Sequence, residues 1–240
     1  MLRISEWEPG LRAAIFAATC LAVMGLASDA WSHGMAGKDA AFVANSTGRQ
    51  IVPFLYLGAK HMATGFDHLL FVIGAVFFLY RLKHVAIYVT TFSIGHSATL
   101  LLGVLGGFHV NPFLVDAIIG LSVAYIAFDN LGGFKALLGF QPNTKLAILV
   151  FGLVHGFGLA TKVQELNPSR DGLLANMISF NVGVEIGQLL VLTAALAFIV
   201  WWRKSSGFLK QAVLANGLIM TAGFALMEYQ LAGYFTDGGG

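Results

Sequence analysis

The chain has little charge and almost no cysteine. Asp, Glu, Lys and Arg make up 11% of its 240 residues, about half the share usual in a soluble domain. That excludes an ordinary water-soluble globule. The net charge is only +2 and no basic run occurs, which excludes a nucleic acid as partner. The single cysteine, Cys20, lies in a leader-like stretch. The mature chain is therefore expected to have neither a disulfide nor a thiolate metal site. No Gly-rich phosphate-binding motif is present, so any energy source is a gradient or a partner. What the chain does have is apolar length: 57% of its residues are hydrophobic and the mean hydropathy is +0.77. This composition predicts an all-α polytopic membrane protein, a single helical bundle in a lipid bilayer. The 29 glycines favour close helix packing inside it.

Residues 1–32 read as a cleaved signal peptide. Arg3 and Arg12 flank the start, Leu11 to Leu26 is apolar, and the small residues Ala27-Ser28-Asp29-Ala30 follow. Cleavage after Ala30 would expose Trp31-Ser32-His33. A histidine third from a free amine suits Cu(II) or Ni(II) in a square plane of nitrogens; an ordinary exposed histidine is the bland alternative. Residues 33–60 are expected to be an extracytoplasmic segment ending in a short interfacial helix, Ile51 to Lys60. Residues 61–235 form the transmembrane domain, and 236–240 a tail. Six spans are predicted, near 62–81, 85–106, 112–131, 145–163, 173–202 and 208–232. Arg81, Lys83, Lys135, Lys145, Arg203, Lys204 and Lys210 fall in the loops of one side, which makes that side cytoplasmic. The loop at 106–111 has no Lys or Arg, whereas that at 162–171 carries Lys162 and Arg170 against Glu165 and Asp171. The orientation in the inner membrane then has the mature N-terminus and the C-terminus outside.

The polar residues within the spans carry the chemistry. An ionisable group there is costly and marks function by default. His61, Asp67 and His68 are placed at the outer end of the first span, and His96 and His155 near the middle of the second and fourth. On a regular helix His61 and His68 stand about 10 Å apart along the axis; one ion reaches both only if the helix breaks, and Gly65 is a plausible break. Asn181, Glu185 and Gln188 occupy i, i+4 and i+7 of the fifth span, one stripe of one face. Asp116 and Glu228 lie in the outer parts of the third and sixth. A packing hydrogen bond, worth about 0.6 kcal/mol, explains any one of these. It does not explain several at one depth. Imidazole and carboxylate together suit Ni, Co, Cu or Zn. His84 and His109 are in loops, where a solvated histidine is the default, and Asp129 with Asn130 is expected to cap a helix end or meet interfacial water. Phe-x-x-x-His recurs at Phe92/His96 and Phe151/His155, and Gly152/Gly156 and Gly183/Gly187 are small-xxx-small pairs that allow tight crossings.

The chain resembles the HupE/UreJ family of membrane proteins over roughly residues 55–200. The resemblance rests on His61-x5-Asp67-His68, on Gly95-His96-Ser97, on Phe151-Gly152-Leu153-Val154-His155-Gly156 and on Phe180-Asn181-Val182-Gly183-Val184-Glu185-Ile186-Gly187-Gln188. The family is regarded as nickel or cobalt permeases associated with hydrogenase and urease systems. The resemblance implicates His61, Asp67, His68, His96, His155 and Glu185 in metal handling, with His33, Asp116, Asn181, Gln188 and Glu228 as accessory candidates. The fourth-span motif departs from the hydrogenase-linked members. Gly152 and Leu153 supply no first histidine there, and Leu159 and Ala160 no acid. It looks like the broader second branch of the family, and copper or zinc stays open as the metal.

Three functions fit these residues. The first is a permease that captures a divalent transition-metal cation at an outer site of His61, Asp67 and His68 and passes it to a midplane site of His96, His155 and Glu185. The second is an intramembrane metal hydrolase, against which stands the lack of a compact H-E-x-x-H motif. The third is a non-transporting metal-delivery partner of a membrane enzyme. In each case the metal is the substrate or ligand. A homo-oligomer or a metalloenzyme-maturation partner is compatible with all three.

Overall fold

The computed structural model describes residues 37–79 and 81–236. The leader, His33 and residues 237–240 of the expected tail lie outside the described residues. Among the described residues there are nine α-helices and no strand. In chain order they are α1 Lys38–Asn45, α2 Ile51–Thr64, α3 Phe66–Val76, α4 Leu82–Gly106, α5 Pro112–Asn130, α6 Gly133–Leu138, α7 Thr144–Glu165, α8 Leu173–Trp202 and α9 Phe208–Thr236. Five of them, α4, α5, α7, α8 and α9, are long and apolar enough to cross a membrane. Their limits lie within four residues of those expected for spans two to six. The chain is a polytopic helical membrane protein, as its composition implies.

Local chemistry sets the helix ends. Asn111 accepts from the amides of Phe113 and Leu114 ahead of Pro112 at the first turn of α5. Asn143 does the same for Lys145 and Leu146 at the start of α7. Each side chain satisfies amides that the first turn leaves without a helical partner. α8 starts after Gly172 at φ 73°. A Cβ there would also run into the backbone of Gly48, so only glycine fits the turn.

Glycine also organises the bundle, in three tight helix pairs. In α2/α8, Gly58 lies against the backbone of Phe180 and Val184, while Gly183 and Gly187 lie against Leu55 and Ala59. In α4/α7, Gly152 and Gly156 meet the backbone of Phe92 and His96, and Gly95 meets that of Leu149 and Leu153. In α5/α9, Gly120 and Gly223 face each other, with Met227 and Ala124 alongside. Without a Cβ at these points backbones touch, and dispersion replaces the hydrophobic drive that lipid cannot supply between helices. Thr99 adds a hydrogen bond across α4/α7, from its hydroxyl to the Leu153 carbonyl at 2.7 Å.

The expected first span, 62–81, is different in kind. α2 ends at Thr64, Gly65 is extended, and α3 begins at Phe66. At 11 residues α3 is too short to cross alone. α2 and α3 in sequence run alongside α8 from its first residues to its last. Gln50 and Gly48 bond Asn176 near the start of α8. Arg203, just past its end, donates to the carbonyls of Phe77 and Leu79, which the end of α3 leaves without helical partners. The segment expected to lie in the interface, 51–60, is therefore the first half of a broken passage, and the boundary expected at residue 61 falls inside α2. The reason is packing. Gly58 lets α2 sink against Gly183 and Gly187 instead of lying flat at the surface.

Candidate metal centre

The break at Gly65 shapes the site. A Cβ on Gly65 would stand 3.0 Å from His68 Nδ1, 3.1 Å from Asp67 Oδ1 and 3.1 Å from the His61 carbonyl. The absent side chain is what allows the chain to turn so tightly here. The turn folds His61, at the end of α2, back over His68, at the start of α3. Their ring centres are 5.0 Å apart, half the separation a continuous helix would impose.

His68 is the hub. Its ring centre lies 5.0 Å from that of His155 and 6.0 Å from that of His96. The close α4/α7 crossing brings both of those rings within reach of His68. Asp67, His68, His96 and His155 are 2%, 4%, 0% and 1% exposed, so water is excluded from the cluster; His61 is half-buried. Phe71 and Phe92 wall it, with Phe92 5.1 Å and Phe71 5.5 Å from His155. The outer site and the midplane site expected from the sequence are thus one cluster. His96 and His155 sit near the middles of α4 and α7, so His61, Asp67 and His68 are at mid-depth rather than at the outer end. The correction follows from α2: the passage begins at Ile51, about ten residues before the start expected at 62.

Hydrogen bonding orients the donors. His68 Nδ1 is 2.9 Å from Asp67 Oδ1, which also accepts from the His68 amide at 2.8 Å. A carboxylate partner fixes the proton on Nδ1 and leaves Nε2 as the lone-pair nitrogen. His155 Nδ1 lies 2.7 Å from the Phe151 carbonyl. A carbonyl only accepts, so here too the proton is on Nδ1 and the lone pair on Nε2. These are the two partners that metal-ligating imidazoles usually have on their second nitrogen. His68 Nε2 and both ring nitrogens of His96 are buried with no hydrogen-bond partner among the described residues. Each such orphan costs about 1–3 kcal/mol, which a ligand would offset.

Two imidazoles on one ion at about 2.1 Å have ring centres about 5 Å apart. The observed spacings are of that order. The nitrogens themselves do not converge: among the described residues no three His, Cys, Asp or Glu are disposed to hold a metal ion as they stand. Spacing and tautomers fit shared ligation; the ring rotations do not yet complete it.

The other candidates are placed differently. Glu185, expected at the midplane site, is exposed on α8 and is not enclosed with the histidines. Gln188 is buried and accepts from the Ser93 hydroxyl at 2.8 Å, so Asn181, Glu185 and Gln188 do not act as one inward stripe. Asn181 is half-buried. Its neighbour Phe180 touches His61, ring centres 5.9 Å apart. Asp116 is held by Lys162 at 2.7 Å, an ion pair between α5 and α7 that accounts for its burial and neutralises Lys162. Glu228 is exposed on α9. The walls, Phe71 and Phe92, went unassigned from the sequence, though Phe92 is the first residue of the recurring Phe-x-x-x-His.

A mid-depth knot of four imidazoles and a carboxylate, enclosed by broken and glycine-packed helices, defines a polytopic membrane protein built around polar ligands. The family model described as HupE / UreJ protein matches residues 37–238. The chain belongs to that family. No curated protein and no solved structure matches it.

Proposed function

We propose that the protein is a membrane permease for a divalent transition-metal cation, nickel or cobalt in the first place, with His61, His68, His96 and His155 as the ligands of one mid-depth site. Membership of the HupE/UreJ family supports metal transport over catalysis. The single observation that carries the site is the pair of oriented imidazoles, His68 on Asp67 and His155 on the Phe151 carbonyl, whose ring centres are 5.0 Å apart. Asp67 is a positioning residue in this reading: it sets the tautomer of His68 and raises its basicity. Incomplete convergence suits a carrier, because a transported ion must bind weakly enough to leave. Small ring rotations would gather and release it. The end of the bundle bearing Arg81, Lys83, Lys135, Lys145, Arg203 and Lys204 is assigned to the cytoplasm, in a multi-pass inner-membrane topology.

The test is flux. Purified protein is reconstituted in liposomes enclosing a metal-sensitive dye, and Ni, Co, Cu and Zn are offered separately with and without a pH gradient. Entry of one metal, lost in His96→Ala, is the expected result. Stoichiometric metal on the purified protein with no entry of any metal would overturn the permease and leave a delivery partner or a hydrolase.

A further inference from the structure

A narrow cleft lies between α3, α4 and α7, lined by Phe71, Val72, Val76, Tyr88, Val89 and Ile148 among others, with about 220 Å³ of empty space counted to its open rim. Its interior has room for about one water molecule. At one end Phe71 and Phe92 form the wall. Their ring centres are 5.2 Å apart, and both rings also touch His155. At the other end stands Tyr88, with the Thr144 side chain close to its phenol. The Thr144 hydroxyl in turn donates to Asp129 Oδ2 at 3.1 Å, and the Gln141 amide bonds the other carboxylate oxygen. Asp129 is half-buried at the last turn of α5. Both side-chain partners are uncharged, and among the described residues no cation pairs with it.

We infer that this cleft is the cation's route between the histidine cluster and the Asp129 end of the bundle, gated by Phe71 and Phe92, with Asp129 as the terminal station. The inference rests on the permease reading. Three observations carry it together. The cleft begins at rings that touch the site. It ends near two hydroxyls, Tyr88 and Thr144, the second bonded to a carboxylate. That carboxylate has hydrogen bonds to hold it but no charge to balance it. An apolar constriction one water wide blocks a hydrated ion until the rings part, which is how hydrophobic gates work. A hydroxyl and a carboxylate beyond it offer oxygen ligands, weaker for such a cation than imidazole, so the ion is released there rather than trapped.

Ala75 also lines the cleft, and Ala75→Phe fills it without touching a ligand. The probe is Ni(II) or whichever metal the wild type admits. The expected result is at least a tenfold loss of flux in liposomes with stoichiometric metal binding in detergent retained. Asp129→Asn should lower flux by a similar factor, again with binding retained. If Ala75→Phe does not fold, Val89→Cys in a Cys20→Ser background replaces it. That side chain is near in size and is blocked after purification by a bulky thiol reagent. Wild-type flux that survives both the filling and the blocking overturns the route while leaving the permease standing. Absence of flux in the wild type overturns both.

Discussion

Asp67 and Phe151 decide what His68 and His155 can ligate, although neither need touch a metal. Each accepts a hydrogen bond from the Nδ1–H of its histidine and so commits Nε2 to ligation. Asp67→Asn should therefore weaken the purified protein's affinity for its metal by about 10–100-fold, read by calorimetry, with helicity unchanged. An affinity equal to wild type would reduce Asp67 to a helix-capping residue. His68→Ala removes the hub and should abolish cellular metal accumulation. His84→Ala should not, since His84 is exposed at the start of α4. A protonated imidazole cannot ligate, so protons and metal compete for these nitrogens. Metal affinity should weaken as the pH is lowered, with protons released on binding; an affinity that never falls on acidification would point away from histidine ligands. At this scale the sequence was readable for identity and not for grouping. His61, Asp67, His68, His96 and His155 stand out because charge is scarce, but whether they form one site or two depends on how far α2 penetrates. Glu185 was misplaced for a related reason. Spacing along α8 puts it near Asn181 and Gln188, but helical phase alone does not say which edge of that stripe the neighbouring helices cover.

The elements are held by missing side chains. At Gly183 a Cβ would meet the backbone of Leu55 and Ala59, and backbone does not yield as a flexible side chain does. Gly183→Val should push α2 from α8, and with it His61 from His68. The expected outcome is a purified protein that melts at least several degrees lower and binds metal at least tenfold more weakly. Normal binding with lowered stability would mean that α2 packs independently of the site. Gly65→Ala is the subtler case. Its new methyl would sit 3.0–3.1 Å from His68 Nδ1, Asp67 Oδ1 and the His61 carbonyl, so it should disturb the His68–Asp67 bond more than the fold. The long spans were legible because an apolar run of twenty residues or more has one explanation in a membrane. α2 was not. Its 14 residues include Lys60 and His61, and by hydropathy alone such a segment belongs at the interface. Only its glycine register with Gly183 and Gly187 says otherwise, and register becomes visible once the partner helix is known.

Across the whole molecule the basic residues divide unequally between the two ends of the bundle. At the end holding the start of α2 and the α7–α8 loop, Lys162 pairs with Asp116 at 2.7 Å, which leaves Arg49 and Arg170 there without an ion pair among the described residues. At the opposite end Arg81, Lys83, Lys135, Lys145 and Lys204 have no carboxylate within ion-pair distance among the described residues, and Arg203 serves α3 carbonyls. The apparent conflict of Lys162 with the positive-inside rule thus dissolves, because its charge is spent inside the bundle on Asp116. The broken α2–α3 passage and five long helices make an even number of crossings, so the segment before α2 and the end of α9 share a side. Both statements meet in one labelling experiment. In a Cys20→Ser background, Glu165→Cys at the end of α7 and Leu137→Cys in α6, both exposed positions, report opposite ends. A membrane-impermeant maleimide added to spheroplasts should label the first and spare the second until the membrane is opened. The reverse pattern would invert the orientation and with it the direction in which the histidine cluster faces its supply of metal. Equal labelling of both would mean that α7 does not cross, and the shared mid-depth of His96 and His155 would have to be abandoned.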